Sequence, residues 1–305
     1  MSAAPSARSG ETGEPRTYGG QAVIEGVLIR GQRTLALACR RPDGAIYRYR
    51  EPLDSPLQRP GPARLPLVRG VVVLWESLKH GTRMLMRSAD IQLEEEEHKL
   101  GTGGNVAVMV TAGVAAVALF VGVPYVATGL LHPVASDLVL NVIEGALRLV
   151  LLVGYLFAIS FMPEIRRVFA YHGAEHMTIH AYEHGEPLEV GRIAPYPTAH
   201  PRCGTAFLLL VVFVAVALFA FLPRTNVVVD LVVRLLLVIP VAAISYEVLR
   251  FGARHERRAA MRLLIAPGLL LQRITTRRPD ESMIEVAVAS LEEALAGDAV
   301  AESAP

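Results

Sequence analysis

Five of the chain's nine histidines and one of its two cysteines fall between Tyr171 and Thr205. That stretch reads YHGAEHMTIHAYEHGEPLEVGRIAPYPTAHPRCGT, with His172, His176, His180 and His184 at every fourth position and His200 and Cys203 following in the order HPRC. If residues 165–184 are helical, each advances about 100°. His172 and His176 then share a face, with Glu175 beside both and Glu183 further along the same stripe. HGAEH also fits H-x-x-E-H, in which two imidazoles one turn apart hold zinc and the glutamate acts as general base toward a water. The spacing of His200 and Cys203 lets both converge on one ion. The candidate metal ligands are therefore His172, His176, His200 and Cys203, and the candidate catalytic base is Glu175. Mixed imidazole and thiolate donors favour zinc, or another divalent transition metal, over magnesium or calcium.

The same donors allow other readings. Four protein ligands would fill a tetrahedral zinc and leave no place for substrate, so that the ion only staples the segment together. The histidines could equally be a polar helix face at a membrane surface. Accessory candidates are His180 and Glu183 on the same helix, and Arg202, which suits an anionic substrate group or a lipid phosphate. Glu25 and Glu247 complete that set. His184 precedes the helix-ending Gly185. Cys203 as a nucleophile with His200 lacks a visible third group to orient it. Gly173 and Gly204 permit close backbone approach.

The elements that must position this stretch are apolar. Of the 305 residues 52% are hydrophobic and 19% charged, with a mean hydropathy of +0.39, which points to a polytopic α-helical membrane protein. Four segments, 105–131, 138–162, 205–223 and 227–250, read as transmembrane helices, since crossing a hydrocarbon core of ~30 Å takes ~20 apolar helical residues. They pair into two hairpins, 105–162 and 205–250, around the histidine stretch at 163–204. Arg166, Arg167, Arg192 and Arg202 lie between the hairpins, and Arg250, Arg254, Arg257, Arg258 and Arg262 follow the last span, whereas the opposite connections carry only Arg224. The positive-inside rule places the histidine stretch and both termini in the cytosol, at the inner (cytoplasmic) membrane. Glu144, Arg148, Arg234 and Glu247 lie in or near spans, where a lone charge costs ~2.5–3.5 kcal/mol, so they should face the bundle and pair. Such pairs are structural glue or a transport or proton path.

Residues 1–17 read as a disordered tail without the apolar core of a signal peptide. A small β unit with a proline-rich linker covers 18–65, and its last two strands join at Pro42-Asp43-Gly44. Its final strand alternates tyrosine and arginine, suiting one covered and one wet face, and Glu25 reads as a solvent-facing strand residue. In 66–104 an amphipathic helix carries Val71, Leu74, Trp75, Leu78, Thr82 and Leu85 on one stripe, which suits either the inner leaflet or the bundle. EEEEHK at 94–99 is a solvated charge run. The segment 251–305 is amphipathic up to a break at Pro267-Gly268, and a second helix starts near Pro279 to Ser282, with Ser282 and Glu285 in capping-box spacing. The net charge of +1 gives no field for nucleic acid. Cys39 and Cys203, on the reducing side, form no disulfide.

YGGQAVIEGVLIRG, LVRGVVVLWESLKHGTRML, YHGAEHMTIHAYEHGEPL, HPRCGTAFLL and LLLQRITTRRPDESMIEVAVASLE together resemble the YqhQ-like family of bacterial membrane proteins, over about residues 18–296. The resemblance implies a domain of unknown function, described as a predicted metal-dependent enzyme. It maps family motif positions onto His172, Glu175, His176, His200 and Cys203. Glu25 and Glu247 fall in segments that look like the family pattern, and His184 lies outside it. The leading expectation is a zinc-dependent hydrolase at the cytosolic membrane face, with a peptide or lipid-linked substrate. A zinc-stapled, non-catalytic scaffold that docks lipid and other membrane proteins is the alternative, and a transporter is a third reading.

Overall fold

The computed structural model describes residues 18–93, 102–131, 135–255 and 258–303. The tail at 1–17 and the charge run at 94–99 lie outside the described residues. Four strands, β1 (Gly19–Val23), β2 (Gly26–Arg30), β3 (Thr34–Arg40) and β4 (Ile46–Pro52), form an antiparallel meander in chain order. Val23 pairs with Gly26 across the first turn, so Glu25 is a turn residue with φ of 51° rather than a strand residue. Its carboxylate accepts from Nε and Nη2 of Arg167 at 2.5 Å each and from the Tyr171 hydroxyl at 3.2 Å. The expected turn at Asp43 and Gly44 forms, with Gly44 at φ 87° and the Asp43 carboxylate accepting the Ala45 N–H.

Both faces of the sheet are covered. Helix α1 (Val68–Gln92) packs on one, where Met84 meets Val23, Leu28 and Leu37. Helices α5 (Pro163–Glu183) and α10 (Glu281–Ser303) cover the other, burying Val27, Ile29, Ala36 and Ala38 against Tyr171, Met177 and Leu291. The arginine side of β4 stays half exposed, yet it pairs with α10 through Arg48 to Glu292 and Arg50 to Glu293. Asp298 of α10, 1% exposed, accepts from the Tyr18 hydroxyl and from the amides of Gln32 and Arg33 in the β2–β3 turn.

Helix α2 (Thr102–Val117) runs through a wider π turn at Ala118–Gly122 into α3 (Val123–Gly129). The turn next to Pro124 frees a backbone carbonyl, and Arg148 of α4 (Asp137–Ile159) donates to that of Phe120 at 2.8 Å. Helix α7 (Gly204–Phe219) and helix α8 (Val227–Arg254) follow the histidine stretch and its short α6 (Val190–Ile193). Among the described residues three helices are long and apolar enough to cross a membrane: Ala107–Gly129, Asp137–Ile159 and Val227–Gly252. The fourth expected span, 205–223, coincides with α7, an apolar helix of 16 residues that is shorter than the other three. Its length of about 24 Å is less than a hydrocarbon core of ~30 Å, yet the chain after it returns to the start of α4, where the Arg224 N–H donates to the Asp137 carboxylate at 3.0 Å.

Glu144 and Arg148 do pair, at 2.7 Å, inside a larger cluster: Glu144 also receives Arg224 at 2.6 Å and Arg234 at 3.2 Å. Glu247 instead binds Arg69 and the Leu67 amide at the start of α1. Pro267 and Gly268 make no break, since both lie inside α9 (Ala259–Thr275), where Gly268 lets the helix press on Ala206 of α7. The cap of α10 is Asp280, whose carboxylate accepts the Met283 N–H and the Ser282 hydroxyl. Ser282 is therefore not the cap, and Glu285 pairs with Arg40.

Candidate metal centre

Helix α5 does not continue from α4. The chain breaks at Ser160–Met162 and restarts on Pro163, whose ring suits a first helical turn. Tyr171, Ala174 and Met177 of α5 bury against the sheet and α10. The ligand-bearing stripe consequently points the other way, toward residues 198–203 and the end of α9.

Carbonyl acceptors fix the imidazole tautomers there, because a carbonyl can only accept. The Nδ1–H of His172 donates to the Thr275 carbonyl at 2.9 Å, leaving Nε2 facing the Cys203 sulfur at 3.2 Å. His176 donates Nδ1–H to the Thr198 carbonyl at 2.6 Å, which leaves its Nε2 without the proton, beside the Cys203 thiol and the Glu175 carboxylate. His180 does the reverse, donating Nε2–H to the Ala199 carbonyl at 2.9 Å and leaving Nδ1. Burial pushes the imidazoles of His176 and His180 below the usual histidine range, so both are neutral with a lone pair to offer.

The ligand atoms gather into two sets, each within 4.8 Å: His172, His176 and Cys203, and His180, Glu183 and His200. The expected foursome is thus divided. His200 stands with Glu183, its Nε2 3.4 Å from the carboxylate, and its ring centre is 5.6 Å from that of His176. Cys203 caps α7, its sulfur accepting the Thr205 N–H at 3.3 Å.

Glu175 lies beside the first set, with its carboxylate 3.5 Å from His176 Nε2. Complete burial pushes its carboxyl up, while the neighbouring His172 and His200 and a bond from the Gly20 backbone pull the other way. A side chain at Gly20 would collide with the Leu28 carbonyl at 2.3 Å and press Glu175 at 3.2 Å, so the paired glycines let β1 lie against this carboxylate. For Glu183, burial acts upward but is outweighed by His200 and Arg202, which hold the carboxyl below its ordinary range.

Sequence comparison assigns the family. Residues 65–297 match the family described as Protein of unknown function (DUF1385). The chain belongs to that family. Uncharacterized protein YqhQ of Bacillus subtilis (strain 168) is 32% identical over 302 residues, covering 94% of this chain and 95% of that protein. No solved structure matches.

In this DUF1385 member a cleft of about 660 Å³ opens beside the candidate centre, between the sheet, α1 and the start of α7. Gly20, Glu76, His80, Arg202, Gly204 and Tyr246 are among its walls. Gly20 touches Glu175, and Gly204 follows Cys203, so the cleft reaches the outer edge of the centre. Arg202 pairs with Glu183, leaving its side chain 36% exposed at the cleft. Glu25 and Glu247 are elsewhere: each holds an arginine that joins two helices or a helix to the sheet. His184 is exposed and belongs to neither set. Gly173 makes a close approach to the Arg277 carbonyl, while Gly204 has nothing within 4 Å.

One positioning residue was not visible from spacing. Gln272 of α9, fully buried, accepts the His200 N–H at 2.8 Å and donates to the His200 carbonyl at 2.9 Å. Its only sequence signal is a lone amide in the apolar run LLLQ. Thr198 and Thr275 act through main-chain carbonyls and leave no signature at all.

Proposed function

We propose that this chain is a multi-pass protein of the inner membrane that binds zinc through His172, His176 and Cys203 and hydrolyses a peptide or lipid-linked substrate, with Glu175 as general base. The observation that carries the reading is the three-donor set: two imidazoles and one sulfur converge beside a buried carboxylate, and His200 stands with a different group. Three protein ligands are the number a catalytic zinc keeps, with the fourth position free for reacting groups. When bound, the ion would supply Lewis acidity. The chain's own part is to fix both imidazoles through Thr275 and Thr198, to hold Glu175 away from bulk water, and to receive the substrate through the cleft. Glu175 takes the proton of the attacking water.

Charge and exposure support this membrane placement. Arg224, the one basic residue of the far connections, points inward to Glu144, so that side presents no free arginine among the described residues. This supports the assignment of the sheet and both termini to the cytosol. The apolar stripe of α1 faces outward: Leu74, Trp75, Leu78 and Leu85 are exposed, whereas Glu76 is buried against Arg30. The helix begins against α8, where Gly70 meets Ala243 and Tyr246, at one end of a long apolar helix. A helix so placed rests its apolar stripe on lipid.

A second reading is favoured by burial. Glu175 and Cys203 are 4% and 6% exposed, which also suits a zinc-stapled scaffold that assembles other membrane proteins. Zinc-edge absorption spectroscopy on purified protein, paired with Glu175→Gln in cells, separates these. A sulfur-ligated zinc whose loss of function follows Glu175→Gln supports the hydrolase. A sulfur-ligated zinc with full function in that variant supports the scaffold, and the absence of sulfur-ligated metal refutes both.

A further inference from the structure

The HPRC segment contributes two donors, and they go to different places. Helix α5 offers donor pairs on successive turns, His172 with His176 and then His180 with Glu183. Cys203 completes the first pair and His200 the second, as the segment passes α5 in the opposite direction. The same two-plus-one construction therefore occurs twice, side by side.

We propose that His180, Glu183 and His200 form a second divalent-metal site, making the centre dinuclear. The inference rests on the zinc reading of the first set and extends it. Two ligands at about 2.1 Å around a tetrahedral ion stand roughly 3.4 Å apart. His200 Nε2 and Glu183 Oε2 are at 3.4 Å. His180 keeps Nδ1 free because Nε2–H is held by the Ala199 carbonyl, an outer-shell bond of the kind that orients metal-binding histidines. The second set is harder than the first, with a carboxylate in place of sulfur, and accepts zinc, manganese or ferrous iron. Glu175 adjoins the first set, with its carboxylate 3.5 Å from His176 Nε2.

The site has a present occupant for its negative charge. Arg202 pairs with Glu183, and its amide lies 3.3 Å from His200 Nδ1. An ion replaces that guanidinium. Binding at Nε2 also puts the His200 proton on Nδ1, where it opposes the Arg202 N–H. The Pro201–Arg202 turn must shift, and Arg202 is released into the cleft it already borders. Loading the second site thus delivers a cation to the substrate side, which suits a substrate bearing an anionic group.

The test is a metal titration of full-length protein in detergent, read by elemental analysis and by the sulfur count per zinc at the zinc edge. Wild type saturated with zinc is expected to hold two ions with an average of half a sulfur each. The double variant His180→Ala, Glu183→Gln is expected to hold one ion with one sulfur. Saturation of wild type at one sulfur-ligated zinc, unchanged in the double variant, overturns the second site and leaves the first standing. A complete lack of sulfur-ligated zinc removes the first site as well. The wild-type sulfur ratio decides the matter even if the double variant does not fold.

Discussion

Replacing Gly173 by alanine tests whether packing behind α5 sets the geometry of the candidate centre. An ideal Cβ at Gly173 would stand 2.1 Å from the Arg277 carbonyl oxygen, whereas ordinary contact begins at 3.4 Å, so one backbone must retreat by about 1.3 Å. The segment cannot retreat freely, because the Arg277 N–H donates to the Phe169 carbonyl at 2.9 Å. Overpacking of this kind costs about 1–3 kcal/mol and the strained hydrogen bond about 0.5–1.5 kcal/mol. Alanine returns up to about 1 kcal/mol as a better helix former than glycine. The net expectation is a loss of about 1–3 kcal/mol, with each kcal/mol lowering Tm by about 2–4 °C. Thr275, two residues before Arg277, holds the His172 ring, and disturbing such an outer-shell partner typically weakens metal binding about 10–100-fold. Thermal unfolding in detergent reads the first effect and zinc competition against a chelating dye reads the second. Gly191→Ala, with nothing within 4 Å, is the control and should change neither. If Gly173→Ala melts and binds zinc as wild type does, the steric reasoning is wrong.

Gln272→Leu orphans the amide and carbonyl of His200, at about 1–3 kcal/mol for each group left unpaired, and should lower Tm and selectively weaken metal binding that depends on His200; an unchanged melt would refute the clamp. Burial pushes the Cys39 thiol up to about 11, so at pH 8 only about one molecule in a thousand carries the thiolate, against roughly a quarter for an ordinary thiol. Iodoacetamide should therefore spare Cys39 until denaturant is added, and native labelling as fast as denatured labelling would contradict its place in the sheet. Trp75 is the only tryptophan and 65% exposed, so its fluorescence reports α1 alone. In proteoliposomes it should shift to the blue and be quenched by lipids brominated high on the chain; water-like emission quenched by iodide would lift α1 off the membrane.

Local signals carried much of this architecture and tertiary ones the rest. The i, i+4 histidines and Glu175 were legible because a helix repeats nearly every four residues, and the Pro42-Asp43-Gly44 turn because its chemistry is local. The division between His200 and Cys203 depends on where residues 198–203 cross α5, which a buried amide on α9 decides. Pro267-Gly268 looked like a break, but the glycine is there to admit Ala206. Glu25 looked like a strand residue because the turn that contains it lacks glycine or asparagine at that position. The apolar stripe of α1 was visible, while its outward direction required the sheet to be in place.

The last helix seals the first strands. Tyr18 and Asp298, 280 residues apart, are hydrogen-bonded, and α10 covers Val27, Ile29, Ala36 and Ala38. During synthesis the meander leaves the ribosome before any apolar helix, and its uncovered face then waits while all of them are inserted. Until residues 281–303 arrive, that face is a ready target for chaperones or proteases. A nascent chain stopped after α9 should be cleared by quality control even with its spans in place. Closure of the sheet thereby waits on residues 281–303.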